Sequence, residues 1–355
     1  MKDFFKVFGK WFWRFSSIYF MIIITCLIKV DYYLYMPGNL VDVKGEIAIQ
    51  DNDKELNGSV SSVYVMSFVR PTLFSYLLSK DLPYADTYKM TKEEITSYDS
   101  SLDYAIGRFD SNQSFSNAEL AAYSLKLREE GEDFYRQVTY IYSANKDINS
   151  NIKYTDLVGS LITGYEENKD SYPKISEITS YLREKELGET AIIYLKDKDD
   201  NNKELNITKY EKDGNNIFGI TVMTSFILNV ESYINVSNVN TTGPSGGAMH
   251  ALYIYLMLED EDILKGRKIA GTGTISYSLD EFGNVESFSK VGNIGCVEQK
   301  LYAAYLDNAS VFYCPSGNYD DCMKAYERYK FTDDDIRVVK VDYLDDIVLD
   351  LRGEA

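Results

Sequence analysis

Ten residues, Asn240-Thr241-Thr242-Gly243-Pro244-Ser245-Gly246-Gly247-Ala248-Met249, place a serine between a proline turn and two glycines, just where an apolar helical pattern begins. Proline and glycine favour a tight turn, and glycine allows backbone N–H groups to approach a bound carbonyl closely. The first turn of the predicted helix adds positive partial charge where an oxyanion would form. Ser245 is therefore a candidate nucleophile for acyl transfer, with the backbone N–H groups of Gly243, Ser245 and Gly246 as candidate oxyanion donors.

Ser245 needs a neighbouring base, because a serine hydroxyl is a poor nucleophile until its proton is removed. The sequence contains one histidine, His250, five residues after Ser245 in the same predicted helix. Five residues are more than one helical turn, so the two side chains are expected to point in different directions. This spacing argues against a Ser-His-Asp triad and favours the variant in which a lysine is the base.

Length and charge limit the classes of function. The chain has 355 residues, enough for two compact domains and an anchor. Its formal net charge of −18 and its sequence pI near 4.6 argue against nucleic-acid binding, which needs clustered lysine and arginine. A single histidine and the lack of a Cys-x-x-Cys pair give no support for a zinc site, and no cofactor is expected.

The N-terminal segment predicts a membrane anchor. A run without charged residues extends from 15 to 28, with basic residues before it and aromatic residues on both sides. Fourteen residues are fewer than the roughly 20 that cross a bilayer, but the flanking aromatic residues can lengthen the span. A cleaved signal peptide is the alternative, although no small-residue cleavage site follows the run. We expect a cytoplasmic tail at 1–14, a single-pass anchor in the cell membrane at 15–33, and the rest of the chain outside the cytoplasm.

The cysteines leave one question open. Cys26 falls in the predicted anchor, whereas Cys314 and Cys322 bracket a short polar loop. In an oxidising space that loop could close as a disulfide. Two free thiols are the alternative.

Patterns after the anchor divide the chain into three parts. Residues 34–137 contain an extended segment at 41–49, a strand at 59–69 and a long helical pattern at 117–137. Residues 138–215 alternate short strands with one helix and predict a small mixed module. Residues 216–355 contain a β-rich run at 232–239, the Ser245 turn and several further strands and helices.

Lys300 is the candidate base. It lies in a predicted helix at 296–306, at the edge of the apolar stripe. Burial disfavours the charged ammonium and lowers the pKa of a lysine. A half-buried Lys300 would therefore be able to accept the hydroxyl proton of Ser245 near neutral pH.

Three motifs resemble those of the Lon-type proteases. The turn at 243–247 resembles the family's G-P-S-A-G motif, which carries the nucleophile. Gly271-Thr272-Gly273-Thr274-Ile275, followed by Gly283-Asn284-Val285, resembles the segment G-T-G-T-I-x-x-x-G-N-V. Gly292-Asn293-Ile294-Gly295-Cys296-Val297-Glu298-Gln299-Lys300 resembles G-P-I-G-G-I-x-x-K, whose last lysine is the catalytic base. The match covers about 216–345 and implies a Ser245 and Lys300 dyad, with Thr272 as a threonine that hydrogen-bonds the lysine.

The whole layout resembles the bacterial membrane-anchored PDZ and Lon proteases, in which an N-terminal span precedes a PDZ module and a secreted Lon domain. This resemblance implies a degenerate PDZ-like module at 138–215 and a Lon-type proteolytic domain at 216–355. The sequence contains no Walker motif G-x-x-x-x-G-K-[ST], so the implied cleavage does not use ATP. Three departures from the family are a spacer at 276–282 that is longer than the family's three residues, six extra residues at 286–291, and a cysteine, Cys296, in place of a glycine.

These observations together predict an α+β protein with a transmembrane helix, a PDZ-like module and a Lon-type domain. Its expected function is cleavage of extracytoplasmic peptides or proteins by Ser245 and Lys300, without ATP, nucleic acid or cofactor. The run at 232–239 is predicted to pair with an extended substrate. The alternative is a catalytically silent binding scaffold at the cell surface, which the insertion at 286–291 motivates.

Overall fold

The computed structural model describes residues 2–50, 54–126, 134–229, 232, 234–236 and 241–354. The helices within these residues are α1 (Lys2–Leu27), α2 (Leu73–Ser79), α3 (Lys92–Ser97), α4 (Ser100–Lys126), α5 (Tyr154–Leu157), α6 (Ile175–Glu184), α7 (Gly247–Leu258), α8 (Val297–Leu306), α9 (Tyr319–Tyr329) and α10 (Leu344–Arg352).

Seventeen strands lie within the described residues. They are β1 (Tyr32–Asp42), β2 (Ile47–Ile49), β3 (Ser59–Val69), β4 (Asp86–Lys89), β5 (Tyr135–Ala144), β6 (Leu161–Tyr165), β7 (Thr190–Lys196), β8 (Asn202–Thr208), β9 (Tyr210–Lys212), β10 (Asn215–Ile217), β11 (Ile220–Leu228), β12 (Ile234–Val236), β13 (Lys268–Gly271), β14 (Thr274–Leu279), β15 (Val285–Gly292), β16 (Val311–Pro315) and β17 (Arg337–Val341). The predicted α+β class is confirmed.

The larger sheet has six strands in the order β17-β16-β13-β3-β1-β4. The strands β3, β13, β16 and β17 run parallel, while β1 pairs antiparallel with β3 and β4. Successive side chains of a strand point to opposite faces. Accordingly, Ile269 of β13 packs in one core with α7, and Ala270 packs in a second core with α8. The sheet therefore carries α7 on one face and α8 on the other.

The smaller sheet has five antiparallel strands in the order β11-β5-β6-β7-β8. Its inward side chains form a separate core that includes Ile141, Ile193 and Leu205, and Ile178 of α6 packs into it. Helix α4 contacts both this sheet and α7, so it connects the module to the larger sheet.

The sheet pairing does not follow the predicted division of the chain. The strands β1, β3 and β4 come from the predicted region 34–137, yet they complete the sheet that contains β13, β16 and β17. The strand β11 comes from the predicted region 216–355, yet it pairs with β5 over nine residues. Sequence patterns identify strands but not their distant partners, so these pairings could not be predicted.

Helix α1 (Lys2–Leu27) covers most of the predicted anchor at 15–33. Within the described part of the chain, no helix combines the length and the apolar character needed to cross a bilayer. Helix α1 ends at Leu27 and the strand β1 already begins at Tyr32, so the predicted span 15–33 is not one helix. The uncharged run of fourteen residues is shorter than the roughly 20 required.

Three further predictions need correction or completion. The first part of the helical pattern at 117–137 belongs to α4, which begins earlier than predicted, at Ser100. The middle of the pattern, 127–133, lies outside the described residues. Its last residues belong to a strand instead, because β5 begins at Tyr135. In the run 232–239 only 232 and 234–236 are described, and β12 pairs with β2, so one edge of this segment is already occupied. Cys314 and Cys322 are both free and buried.

Candidate active site

The turn that carries Ser245 is held by the long helix α4. The N–H of Gly243 donates to the carbonyl of Gly107 at 2.8 Å, and the hydroxyl of Ser114 donates to the carbonyl of Pro244 at 3.1 Å. Both contacts need a close approach of α4, which small side chains at Gly107 and Ser114 permit. This role of α4 was not predicted, although small residues recur there at helical spacing (Gly107, Ser111, Ser114 and Ala118).

Ser245, Thr272 and Lys300 meet at the carboxyl end of β13. Lys300 Nζ donates to Ser245 Oγ at 2.7 Å and to Thr272 Oγ1 at 2.9 Å. Ser245 lies at the start of α7 and Lys300 on α8, on opposite faces of the sheet. The two side chains meet just beyond the end of β13, whose last residue is Gly271. The structure thus brings all three predicted side chains into direct contact.

Burial sets the protonation of Lys300. The residue is only 2 % exposed, and none of the ion pairs among the described residues includes it. Desolvation disfavours the ammonium and lowers the pKa of Lys300 to about 8. With that pKa, roughly a tenth of the Lys300 amines would be neutral at pH 7. A neutral amine at hydrogen-bond distance from a serine hydroxyl can act as a general base.

Helix α8 places Lys300 through an unusual first residue. Cys296 precedes the helix with φ of +60°, the left-handed region, and accepts the backbone hydrogen bond of Lys300 at 3.1 Å. Non-glycine residues are uncommon in that region. The backbone conformation of Cys296 is one that glycine adopts most easily.

Thr272 and Gly273 fix the backbone of the nucleophile. The carbonyl of Ser245 accepts from Thr272 Oγ1 at 3.0 Å and from the N–H of Gly273 at 2.9 Å. Gly273 has φ of +151°, and a Cβ there would lie 2.6 Å from Val291 Cγ1. A larger residue at 273 would therefore displace either the hairpin or the Ser245 turn.

One of the three predicted oxyanion donors is wrong. The N–H of Gly243 points to Gly107 and is already used in that hydrogen bond, because the turn needs it to dock on α4. The N–H groups of Ser245 and Gly246 have no hydrogen-bond partner among the described residues. Both lie at the amino end of α7, where the helix dipole favours negative charge. Ser245 and Gly246 therefore keep two donors for a developing oxyanion.

His250 lies apart from the hydroxyl of Ser245, as the five-residue spacing predicts. Its Nε2 is 3.0 Å from Oε2 of Glu46, and its ring stacks on Phe115 with centroids 4.3 Å apart. No hydrogen bond joins His250 to Ser245 in the described part of the chain. The histidine is a buried member of another network.

The six extra residues at 286–291 do not separate the dyad. They lie within β15, which pairs with β14 from Leu279↔Val285 to Thr274↔Gly292. The added length therefore extends a hairpin whose base stays next to Gly273, and its tip carries the exposed Phe282. The hydrogen bond from Lys300 to Ser245 is made despite the insertion.

Metal ligands are not assembled near the dyad. No group of three or more His, Cys, Asp or Glu side chains is placed to hold a metal ion within the residues that the structure covers.

Comparison with known proteins does not extend the resemblance. No family model matches the chain, and no curated protein matches it significantly. The chemistry of the site therefore has to be argued from its own geometry.

If Ser245 and Lys300 cleave peptides as the sequence predicts, replacing Thr272 by valine is expected to lower kcat/KM about tenfold to a hundredfold. Valine keeps the shape of the side chain but leaves Lys300 Nζ without one acceptor and the Ser245 carbonyl without one donor. A buried polar group that loses its hydrogen-bond partner destabilises the site by about 1–3 kcal/mol. Steady-state kinetics on a fluorogenic peptide would measure the loss. Thr274→Val, an equivalent change two residues further along, is the control. Unchanged kinetics in Thr272→Val would show that Thr272 does not orient Lys300.

Proposed function

We propose that this protein is a serine endopeptidase that cleaves peptide bonds through an acyl-enzyme, with Ser245 as nucleophile and Lys300 as base. The observation that carries the proposal is the hydrogen bond of 2.7 Å between Lys300 Nζ and Ser245 Oγ, made by a lysine that is 2 % exposed. Most lysines are solvated, because burying an ammonium is costly. A buried lysine aimed at a serine in a glycine turn is the arrangement that Ser-Lys hydrolases require.

Acylation begins with the neutral amine of Lys300. The amine takes the proton of Ser245 Oγ while the oxygen attacks the substrate carbonyl carbon. The carbonyl oxygen becomes an oxyanion, which the N–H groups of Ser245 and Gly246 are free to bind. The ammonium of Lys300 then gives the proton to the leaving amine as the peptide C–N bond breaks, which leaves the acyl group on Ser245.

Deacylation repeats these roles with water. Lys300, neutral again, takes a proton from a water molecule that attacks the ester carbon, and the proton is returned to Ser245 Oγ as the acid product leaves. Thr272 keeps its hydrogen bond to Lys300 Nζ and so limits the rotation of the amine. The proposed chemistry uses no metal or nucleotide.

The finer assignment of domains is also part of the proposal. The segment around the dyad would be a Lon-type proteolytic domain, and the five-stranded module with α6 a degenerate PDZ-like module. A PDZ domain binds peptides by adding a strand to a free sheet edge. Here the outer edge of β5 is paired with β11 from Ile220↔Ala144 to Leu228↔Tyr135. The module would therefore hold the chain's own strand at this edge rather than a partner's.

The proposal is tested by incubating the purified full chain with casein and with fluorogenic peptides, without nucleotide and with a chelator. Fragments should accumulate, and mass spectrometry of a reaction quenched early should find an acyl group or a serine-directed label on Ser245. An intact casein band together with specific capture of a partner would instead favour the silent scaffold.

The same assay should show a rise of activity with pH. The base must be neutral, and the pKa of Lys300 is about 8, so kcat/KM should increase about tenfold per pH unit below that value and level off above it. Normal lysines have a pKa near 10.4, so a plateau that begins only at pH 10 or above would contradict an active, buried Lys300. Circular dichroism at each pH would check that the fold is retained.

A further inference from the structure

A buried pair of hydrogen-bonded side chains lies behind the nucleophile turn and has no part in the proposed chemistry. It is formed by Glu46 and His250, each about 3 % exposed, with Nε2 of His250 at 3.0 Å from Oε2 of Glu46. Burying a carboxylate away from water is costly unless donors surround it. This pair therefore calls for a specific explanation.

Glu46 is the centre of the network. Its carboxylate accepts from Tyr64 Oη at 2.6 Å and from Ser62 Oγ at 3.4 Å, and both donors belong to β3. Because a carboxylate accepts, the nitrogen of His250 that faces it carries a proton. The other ring nitrogen, Nδ1, is buried and has no hydrogen-bond partner among the described residues. Within that part of the chain, Glu46 is thus the one polar contact that orients the imidazole of His250.

The imidazole of His250 packs against the backbone of Gly246. A Cβ added at Gly246 would lie 2.9 Å from Cε1 and 3.1 Å from Nε2 of His250, so this position has no room for a side chain. The ring also stacks on Phe115, with an interplanar angle of 16°. The imidazole therefore contacts both Phe115 and the glycine whose N–H is one of the two free oxyanion donors.

Tyr64 supports the carboxylate of Glu46 from the sheet. Its hydroxyl donates to Oε1 of Glu46 at 2.6 Å, and burial and this bond raise the pKa of Tyr64. The carboxylate of Glu46 is consequently held by β3 on one side and contacts the imidazole that packs against Gly246 on the other.

We propose that Glu46 and His250 are positioning residues for the oxyanion donor of Gly246. Glu46 holds the imidazole, and the imidazole holds the backbone of Gly246 at the angle in which its N–H meets the developing charge. This inference rests on the proposed peptidase function, because the oxyanion belongs to that reaction. The pair acts through the backbone and not by touching the substrate.

The test uses the full chain with Glu46→Gln and, separately, with Glu46→Leu combined with His250→Phe. The first change keeps the shape but alters the donor and acceptor pattern, whereas the second removes both polar groups and leaves no buried charge unpaired. Both variants should lower kcat about tenfold and change KM less than twofold. Removing an oxyanion donor lowers kcat by about 10²–10³-fold, and displacing one should lower it less. A peptide boronate, whose tetrahedral adduct uses the oxyanion donors, should bind about tenfold more weakly.

A second readout does not depend on cleavage. In protein labelled with ¹⁵N-glycine, the amide signal of Gly246 should shift in both variants, while that of Gly188, in a turn of the module, should not. Thr139→Val, which removes a buried hydrogen bond to Pro173 in the smaller sheet, controls for general loosening and should leave kcat and the Gly246 signal unchanged. An unshifted Gly246 signal in both folded variants would overturn the proposal. A wild-type protein that cleaves nothing would refute the peptidase function but still leave the Gly246 signal to decide the positioning role.

Discussion

Ser245→Ala is expected to abolish peptide cleavage, with a loss of about 10⁴-fold or more in kcat, and to leave the fold unchanged. Removal of the nucleophile eliminates the acyl-enzyme route, and such losses in serine proteases reach about 10⁶-fold. The fold should survive because the backbone of Ser245, not its hydroxyl, carries the structural hydrogen bonds: the carbonyl accepts from Thr272 Oγ1 and from Gly273 N. Cleavage of a fluorogenic peptide and circular dichroism would measure the two quantities.

The matched control is Ser278→Ala on the neighbouring strand β14, which should retain full activity. Both variants should be purified in parallel, because trace amounts of a host protease would give the same residual rate in each. If Ser245→Ala cleaved as fast as Ser278→Ala and the activity stayed with the protein through purification, Ser245 would not be the nucleophile.

Lys300→Met is expected to lose about 10⁴-fold in kcat/KM and at the same time to increase the stability of the fold at pH 7. The first effect follows from loss of the general base, which by itself accelerates a reaction about 10²- to 10⁴-fold. The upper end of this range is expected because the two members of the dyad act as a unit. The second follows from burial: methionine is about as long as the lysine stem and fills an apolar site without an ammonium to desolvate.

The stability change should depend on pH in a defined window. The pKa of Lys300 is about 8 in the folded protein and 10.5 in an unperturbed lysine. Below pH 8 both states are protonated and burial of the ammonium costs about 3 kcal/mol. Between pH 8 and 10.5 the unfolded lysine binds more protons than the folded one, so wild-type stability rises with pH. The advantage of Lys300→Met should therefore shrink across this window.

Urea denaturation of wild type and variant at several pH values would measure this difference. Lys290→Met, which changes an exposed lysine on β15, is the control and should leave both activity and the pH dependence of stability nearly unchanged. If the stability of Lys300→Met and that of Lys290→Met changed equally with pH, Lys300 would not be held in its desolvated position in solution.

Local features of the site could be predicted because they depend on neighbouring residues. The glycines and proline around Ser245 predicted a turn followed by a helix, and α7 begins at Gly247. The five-residue spacing of His250 predicted that it would not serve Ser245, and its ring contacts Glu46 instead. The motif that ends at Lys300 predicted that this lysine lies next to the nucleophile Ser245, and the side chains of Lys300 and Ser245 are in hydrogen-bond contact.

Other features failed or were missed because they depend on distant parts of the chain. Gly243 was predicted as an oxyanion donor, but its N–H is used by Gly107, 136 positions earlier (243 − 107 = 136). Glu46 was not singled out at all, since nothing near it in the sequence indicates a buried carboxylate.

By itself, the sequence determined the local chemistry of this protein: a serine in a glycine turn, a helix behind it and a lysine in a later helix. Turn and helix preferences act over a few residues, so they can be read from the order of side chains. Only the tertiary structure decided that α7 and α8 meet around the end of β13, that β1 and β3 complete the same sheet, and that Lys300 is buried. These contacts depend on the path of the whole chain, because packing of distant elements sets both the burial of Lys300 and its pKa.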